Sequence, residues 1–340
     1  MKRDINNTWT AFPNASTQPV SPKFLQWPYI AAEIMISIIS TSGNLLVCLA
    51  VGCNKKLQNV TNYFLVSLSV ADFFVGTLAI PCAIMTDLGL PHHNLYLCIA
   101  ILYMLLMLTQ SSIFSLLAVA IERYVAILLP FQYQRLLKPR NARLVILLTW
   151  LLAFLVGSVP LMGWHGRSDE MNYCSFACVV DMAYMVYFNF FGCVLVPLVT
   201  MFIIYTHIFV TVRRHVRRTA AMQTALELQA RQNTGMRDEA RKATSIFVLV
   251  FVFALCWIPL YTVNCVHLFC PHCKIPLPLS LITIILSHAN SAINPLLYPT
   301  PILHAFQINW QDRSGRGTTW ALKSITVLSS VIDLCLHLRQ

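Results

Sequence analysis

Charge is scarce in this chain. Only 11% of its 340 residues are Asp, Glu, Lys or Arg, against about 25% in a soluble domain, which excludes a water-soluble multi-domain protein. No cleavable leader is expected, because Lys2 and Arg3 run into polar sequence rather than an apolar core. No internal repeat and no continuous polar path occurs, which argues against a seven-helix transporter or channel. No nucleophile–base pair or metal-ligating cluster stands out, so the chain does not read as an enzyme.

Apolar residues are abundant, at 57% with a mean hydropathy of +0.65. They fall into runs at Pro28–Cys53, Tyr63–Leu88, Leu97–Leu128, Ala142–Met162, Tyr184–Val212, Ala240–Phe269 and Leu277–Tyr298. Each is long enough to cross a hydrocarbon core, which takes about 20 helical residues. The pattern predicts an all-α membrane protein, a seven-transmembrane helix bundle. Lys55, Lys56, Arg135, Lys138, Arg140 and Arg143 lie in the links after runs one and three, and a basic stretch from Arg213 to Lys242 follows run five. The other side holds only Lys2, Arg3, Lys23, Arg167 and Lys274. This bias makes the N-terminus extracellular. The net charge of +11 therefore reports topology, and no nucleic-acid partner is expected. Residues 1–27 read as an extracellular tail, 28–298 as the membrane domain embedded in lipids, and 299–340 as a cytoplasmic tail. A multi-pass protein of the plasma membrane is expected.

Asn6 and Asn14 open sequons in the outer tail and are candidate glycosylation sites. Asn59 opens a third, on the cytosolic side, where it stays bare. Cys98, Cys174, Cys178, Cys270 and Cys273 lie outside, in disulfide-permissive space. A Cys98–Cys174 bridge would pin the loop after run four over the bundle mouth, with Cys178 a competitor for Cys174. Cys270 and Cys273 read as a tight loop staple.

Polar residues inside the runs need a reason, since an ionised carboxylate at the helix centre costs about 2.5–3.5 kcal/mol on insertion scales. Asp72 has Asn44, Ser112, Asn290, Ser291 and Asn294 as candidate neighbours. Such a cluster suits a small cation, sodium as a modulator, or a proton; a structural hydrogen-bond knot is the plainer and compatible reading. No other cofactor is expected. Glu33 and His288 lie in the outer halves of runs one and seven. If those helices are neighbours, the acid fixes the imidazole's tautomer and orientation. Pro81, Pro160, Pro197, Pro259 and Pro295 interrupt the runs and invite kinks.

Glu122-Arg123-Tyr124, Cys256-Trp257-Ile258-Pro259 and Asn294-Pro295-Leu296-Leu297-Tyr298 stand in order on runs three, six and seven. With Asn44, Asp72, Trp150 and Pro197 they make the chain resemble a rhodopsin-like (class A) G-protein-coupled receptor. Longer strings, 57–64, 109–117, 184–191 and 286–291, resemble adenosine receptors specifically.

The resemblance implies a pocket for extracellular adenosine near the outer rim. Asn264 lies two turns outward from Trp257, and its carboxamide complements the donor and acceptor of adenine. Phe176 would stack on the purine, with Met185, Leu260 and Trp257 as apolar walls. Thr109, Ser287 and His288, with Glu33 behind the imidazole, would meet the ribose end. Leu105 stands where amine receptors place an aspartate, and His288 where retinal proteins place a lysine. Both favour a neutral ligand, and another neutral small molecule is the alternative to adenosine.

Activation would follow the family pattern. Trp257 shifts, Pro259 lets the inner end of run six swing, and Glu239 releases Arg123. Tyr205 and Tyr298 then support Arg123, and a heterotrimeric G protein changes cyclic AMP, with the strings leaning toward stimulation. Three departures from the family stand out. Ala177 replaces a glutamate found in several relatives, and Tyr261 replaces a smaller polar residue, often histidine. After Tyr298, Pro299-Thr300-Pro301 interrupts the family's basic inner helix, and the apolar stretch 325–338 is too short to span.

Overall fold

The computed structural model describes residues 23–92, 94–164, 174, 176–221, 228–270 and 272–297. Among the described residues, seven helices are long and apolar enough to cross a membrane. They are α1 (Lys23–Cys53), α2 (Val60–Asp87), α3 (Leu95–Leu128), α4 (Pro139–Ser158), α5 (Tyr184–Leu195 continuing as Val196–Ala221), α6 (Leu228–Phe269) and α7 (Leu277–Leu297). A short helix, Pro130–Leu136, links α3 to α4.

The helices close into a ring. α1 packs on α2 and α7, α7 on α6, α6 on α5, and α3 is wedged among α2, α4, α5 and α6. α3 is 61% buried over its most apolar window and α4 only 28%, so α3 is the central post and α4 faces outward. Close approach relies on small residues, as expected where lipid supplies no hydrophobic drive between helices. A side chain at Gly76 would lie 3.0 Å from the α1 backbone, and one at Gly157 2.9 Å from Met107 of α3. Ser37 and Ser40 of α1 donate to the carbonyls of Gly76 and Asp72 at 2.7 and 2.9 Å. Trp150 of α4 donates its indole N–H to Ser67 of α2 at 3.1 Å, and Ser67 meets Ser115 of α3 at 3.3 Å.

The prolines act in different ways. Pro81 and Pro197 each follow a stretch wound with i→i+5 hydrogen bonds, Val75–Ala79 and Tyr184–Leu195. A proline lacks an N–H and its ring crowds the preceding turn; the wider winding upstream relieves both. Pro160 does not kink a helix as expected from the sequence. α4 stops at Ser158, and Pro160–Met162 forms a tight turn after it. α1 also starts earlier than the apolar run, and α6 much earlier, because charged cytosolic turns extend its membrane part.

Asn59 has a plain structural role: its side chain accepts from the Asn62 amide at 2.9 Å and caps α2. Asn6, Asn14 and Tyr298 lie outside the described residues.

Candidate functional site

At the outer mouth, Cys98 of α3 is bonded to Cys174, with a Cα–Cα distance of 5.6 Å. The Cys174 amide also donates to the carbonyl of Gly89 at 3.0 Å. Gly89 has φ of +80°, a conformation that other residues adopt only with strain. The loop is thus held to α3 and to the end of α2. Two residues on, Phe176 opens a short helix, Phe176–Val179, and packs half-buried on the bundle core. Cys270 and Cys273 form the second bridge. Ala177 and Cys178 have side chains outside the described set.

Phe176, Leu260, Met185 and Trp257 belong to one continuous hydrophobic cluster fed by α3, α5, α6 and the pinned loop. Asn264 sits one turn outward from Leu260 on α6. It is 7% exposed, and its amide has no hydrogen-bond partner among the described residues. A carboxamide there presents both donors and an acceptor. Thr109 bonds to the carbonyls of Leu105 and Leu106, and Ser287 to that of Ile284, at 2.7 to 3.0 Å. Their hydroxyls therefore remain acceptors.

The structure brings Glu33 and His288 together. Glu33 Oε2 lies 2.8 Å from His288 Nδ1, with both side chains buried. The carboxylate fixes the ring and leaves Nε2 as the other nitrogen for contact. Nearby, Tyr29 of α1 donates to Asp87 of α2 at 2.5 Å. Tyr29 and Asp87 are functional-site neighbours missing from the sequence expectations above, although an acid at the outer edge of an apolar run is a visible signal.

Deeper, Asp72 is fully buried. It accepts from Ser112 and Ser291, both at 2.8 Å, and from the Asn294 amide at 2.6 Å. Asn44 ties α1 to α7 by donating to the Ser291 carbonyl at 3.0 Å. The side-chain oxygens of Asn44, Asn290 and Asn294 are buried without a donor among the described residues. This is a carboxylate with surplus hard oxygens, the donor chemistry that suits a small hard cation.

At the inner end, Arg123 pairs with its neighbour Glu122 at 2.5 and 2.7 Å. Thr61 of α2 bonds both residues, and Tyr133 donates to Glu122 at 3.2 Å. Burial first, then the charge of Glu122, hold the Tyr133 phenol above its ordinary pKa, so it stays a donor. Tyr124 packs on His207 of α5, with ring centroids 5.8 Å apart. Tyr205 is buried, its hydroxyl without a partner among the described residues. Asn294 and Pro295 lie in the last turns of α7. Glu239 lies on α6, with its side chain outside the described set.

A separate groove of about 620 Å³ runs between α2 and α4, lined by Tyr63, Arg143 and Trp150 among others. It shares no residue with the sites above.

Residues 43–298 match the family described as 7 transmembrane receptor (rhodopsin family). The chain is 44% identical to adenosine receptor A2a of Canis lupus familiaris, over 80% of its own length and 68% of the relative's. It is 43% identical to adenosine receptor A2a of Homo sapiens, over 79% and 68%. With adenosine receptor A2b of Homo sapiens it shares 44% identity over 79% and 85%. With the seven-helix ring in place, these matches show that the chain belongs to the rhodopsin family of seven-transmembrane receptors and, within it, to the adenosine receptors.

Proposed function

We propose that this receptor binds extracellular adenosine and raises cyclic AMP through a stimulatory heterotrimeric G protein. The observation that carries the reading is Asn264, a buried amide without a described partner at the edge of an apolar cluster. It offers one donor and one acceptor where a purine edge needs both. Phe176, Met185, Leu260 and Trp257 supply the apolar walls, and Thr109, Ser287 and His288 the ribose contacts. The absence of an acid at Leu105 leaves no counter-ion for an ammonium ligand at that position.

Adenosine acts by preferring one state over another. Contraction around the nucleoside moves Trp257, and the proline-weakened backbone at Pro259 lets the inner length of α6 swing. Release of Glu239 frees Arg123, which Tyr205 and Tyr298 then support against the G protein. The test is cyclic AMP in cells bearing the receptor at the surface. A dose-dependent rise with adenosine is expected. No change at any concentration would sink the ligand assignment, and a fall would sink the stimulatory assignment.

A sodium ion suits the donor set around Asp72, with Ser112, Asn290 and Ser291 as further ligands. Its charge would offset that of the carboxylate and favour the resting state. Asp72→Asn keeps the shape and removes the charge. For the unaltered receptor, agonist affinity should be several-fold lower in sodium chloride than in choline chloride, and for Asp72→Asn it should be indifferent to the choice of salt. Retained sodium sensitivity would refute the site.

A further inference from the structure

The outer half of α6 carries a polar link that neither the nucleoside contacts nor the inner lock uses. Tyr261 is 4% exposed, and its hydroxyl donates to Asn189 Oδ1 on α5 at 2.7 Å. The Asn189 amide reaches Gln110 Oε1 on α3 in a longer contact of 3.5 Å. Gln110 in turn donates to the Cys193 carbonyl of α5 at 2.9 Å. All three side chains are buried. Amides inside a membrane domain are costly unless paired, and here each satisfies the next. A network of this kind acts as a unit.

The same phenol tops a column of rings. Phe253, Trp257 and Tyr261 recur every four residues and so share one face of α6. Their ring centroids lie 6.0 and 5.9 Å apart in sequence order. Phe190 of α5 stacks on Tyr261 at 4.7 Å and 14°. The Trp257 indole nitrogen is buried without a hydrogen-bond partner among the described residues. Its neighbours in the column, rather than a polar contact, therefore set its position. Pro259 lies between Trp257 and Tyr261, where the helix backbone is weakest.

We infer that Tyr261 is a positioning residue: through Asn189 and Gln110 its hydroxyl pins the ring column, and hence Trp257, in the resting arrangement. Release of the pin raises the population of the signalling state. This rests on the receptor function proposed above and adds to it a control that needs no ligand. It also gives the bulk of Tyr261, a departure from the family, a purpose.

The test uses the full receptor in cell membranes without nucleoside, with adenosine removed enzymatically. The readout is uptake of a non-hydrolysable GTP analogue by the G protein at matched surface density, which does not depend on the sign of the cyclic AMP response. Tyr261→Phe keeps the stack and loses the hydroxyl. Asn189→Leu removes the acceptor and keeps the volume. Each should raise basal uptake about three- to tenfold, the effect of losing one net hydrogen bond. The double variant should do no more than either single one, because both break the same link. Unchanged or lowered basal uptake, or a double effect equal to the product of the singles, would overturn the inference. Adenosine binding is measured in parallel; its absence would remove the ligand assignment and leave the basal result interpretable.

Discussion

Asn264→Ala should lower adenosine affinity on the order of a hundredfold. The carboxamide makes two neutral hydrogen bonds to the purine in the proposed pose, each contributing about 0.5–1.5 kcal/mol net. Truncation also strands the ligand's donor and acceptor inside an apolar cluster, at about 1–3 kcal/mol per group. Since every 1.4 kcal/mol is tenfold in affinity, even the low end of that range is easily measured. The fold should not suffer, because the Asn264 amide has no described protein partner to lose. Radioligand competition on intact cells, with surface staining in parallel, checks both halves. An affinity within twofold of the unaltered receptor would remove Asn264 from the pocket.

Gly76→Leu should cut surface receptor to below about a tenth, through misfolding rather than lost binding. The glycine sits where α1 and α2 touch. A side chain there would meet Thr41 Oγ1 at 2.7 Å and the backbone of Ser37 and Thr41 at 3.0 Å. Backbone cannot rotate aside, so α1 must move away. That movement strains the Ser37 and Ser40 bonds to α2 and the Asn44 bridge to α7. Overpacking alone typically costs 1–3 kcal/mol, a large part of the stability of a marginal fold. Gly192→Leu is the matched control, because a Cβ at that exposed position has nothing within 4 Å. Equal surface staining for the two variants would contradict the close-packing account.

The spans were legible from composition, because a long apolar run has only one comfortable solvent. The Asp72 cluster was legible for the same reason: a buried acid in lipid must find partners, and Ser112, Ser291 and Asn294 are its partners. Glu33 and His288 were legible only as a conditional pair, since contact required α1 and α7 to be neighbours. Tyr29 with Asp87, and Tyr261 with Asn189 and Gln110, were not legible as pairs. Such contacts depend on how each helix is rotated about its axis, which local periodicity does not state. The wide winding of α5 was hidden too. Pro197 announces a disturbance, but whether a helix kinks, stops or widens there depends on its neighbours. Pro160 and Pro197 resolve the same missing donor differently.

The wide winding of α5 bears on any experiment that probes this helix residue by residue. A cysteine-labelling walk inward from Tyr184 would find its reactive positions spaced as on a looser spiral as far as Leu195, then fall out of phase and resume the ordinary rhythm beyond. Positions assigned by counting from the outer end would be allotted to the wrong side of the helix past that point, so the two stretches need separate rulers.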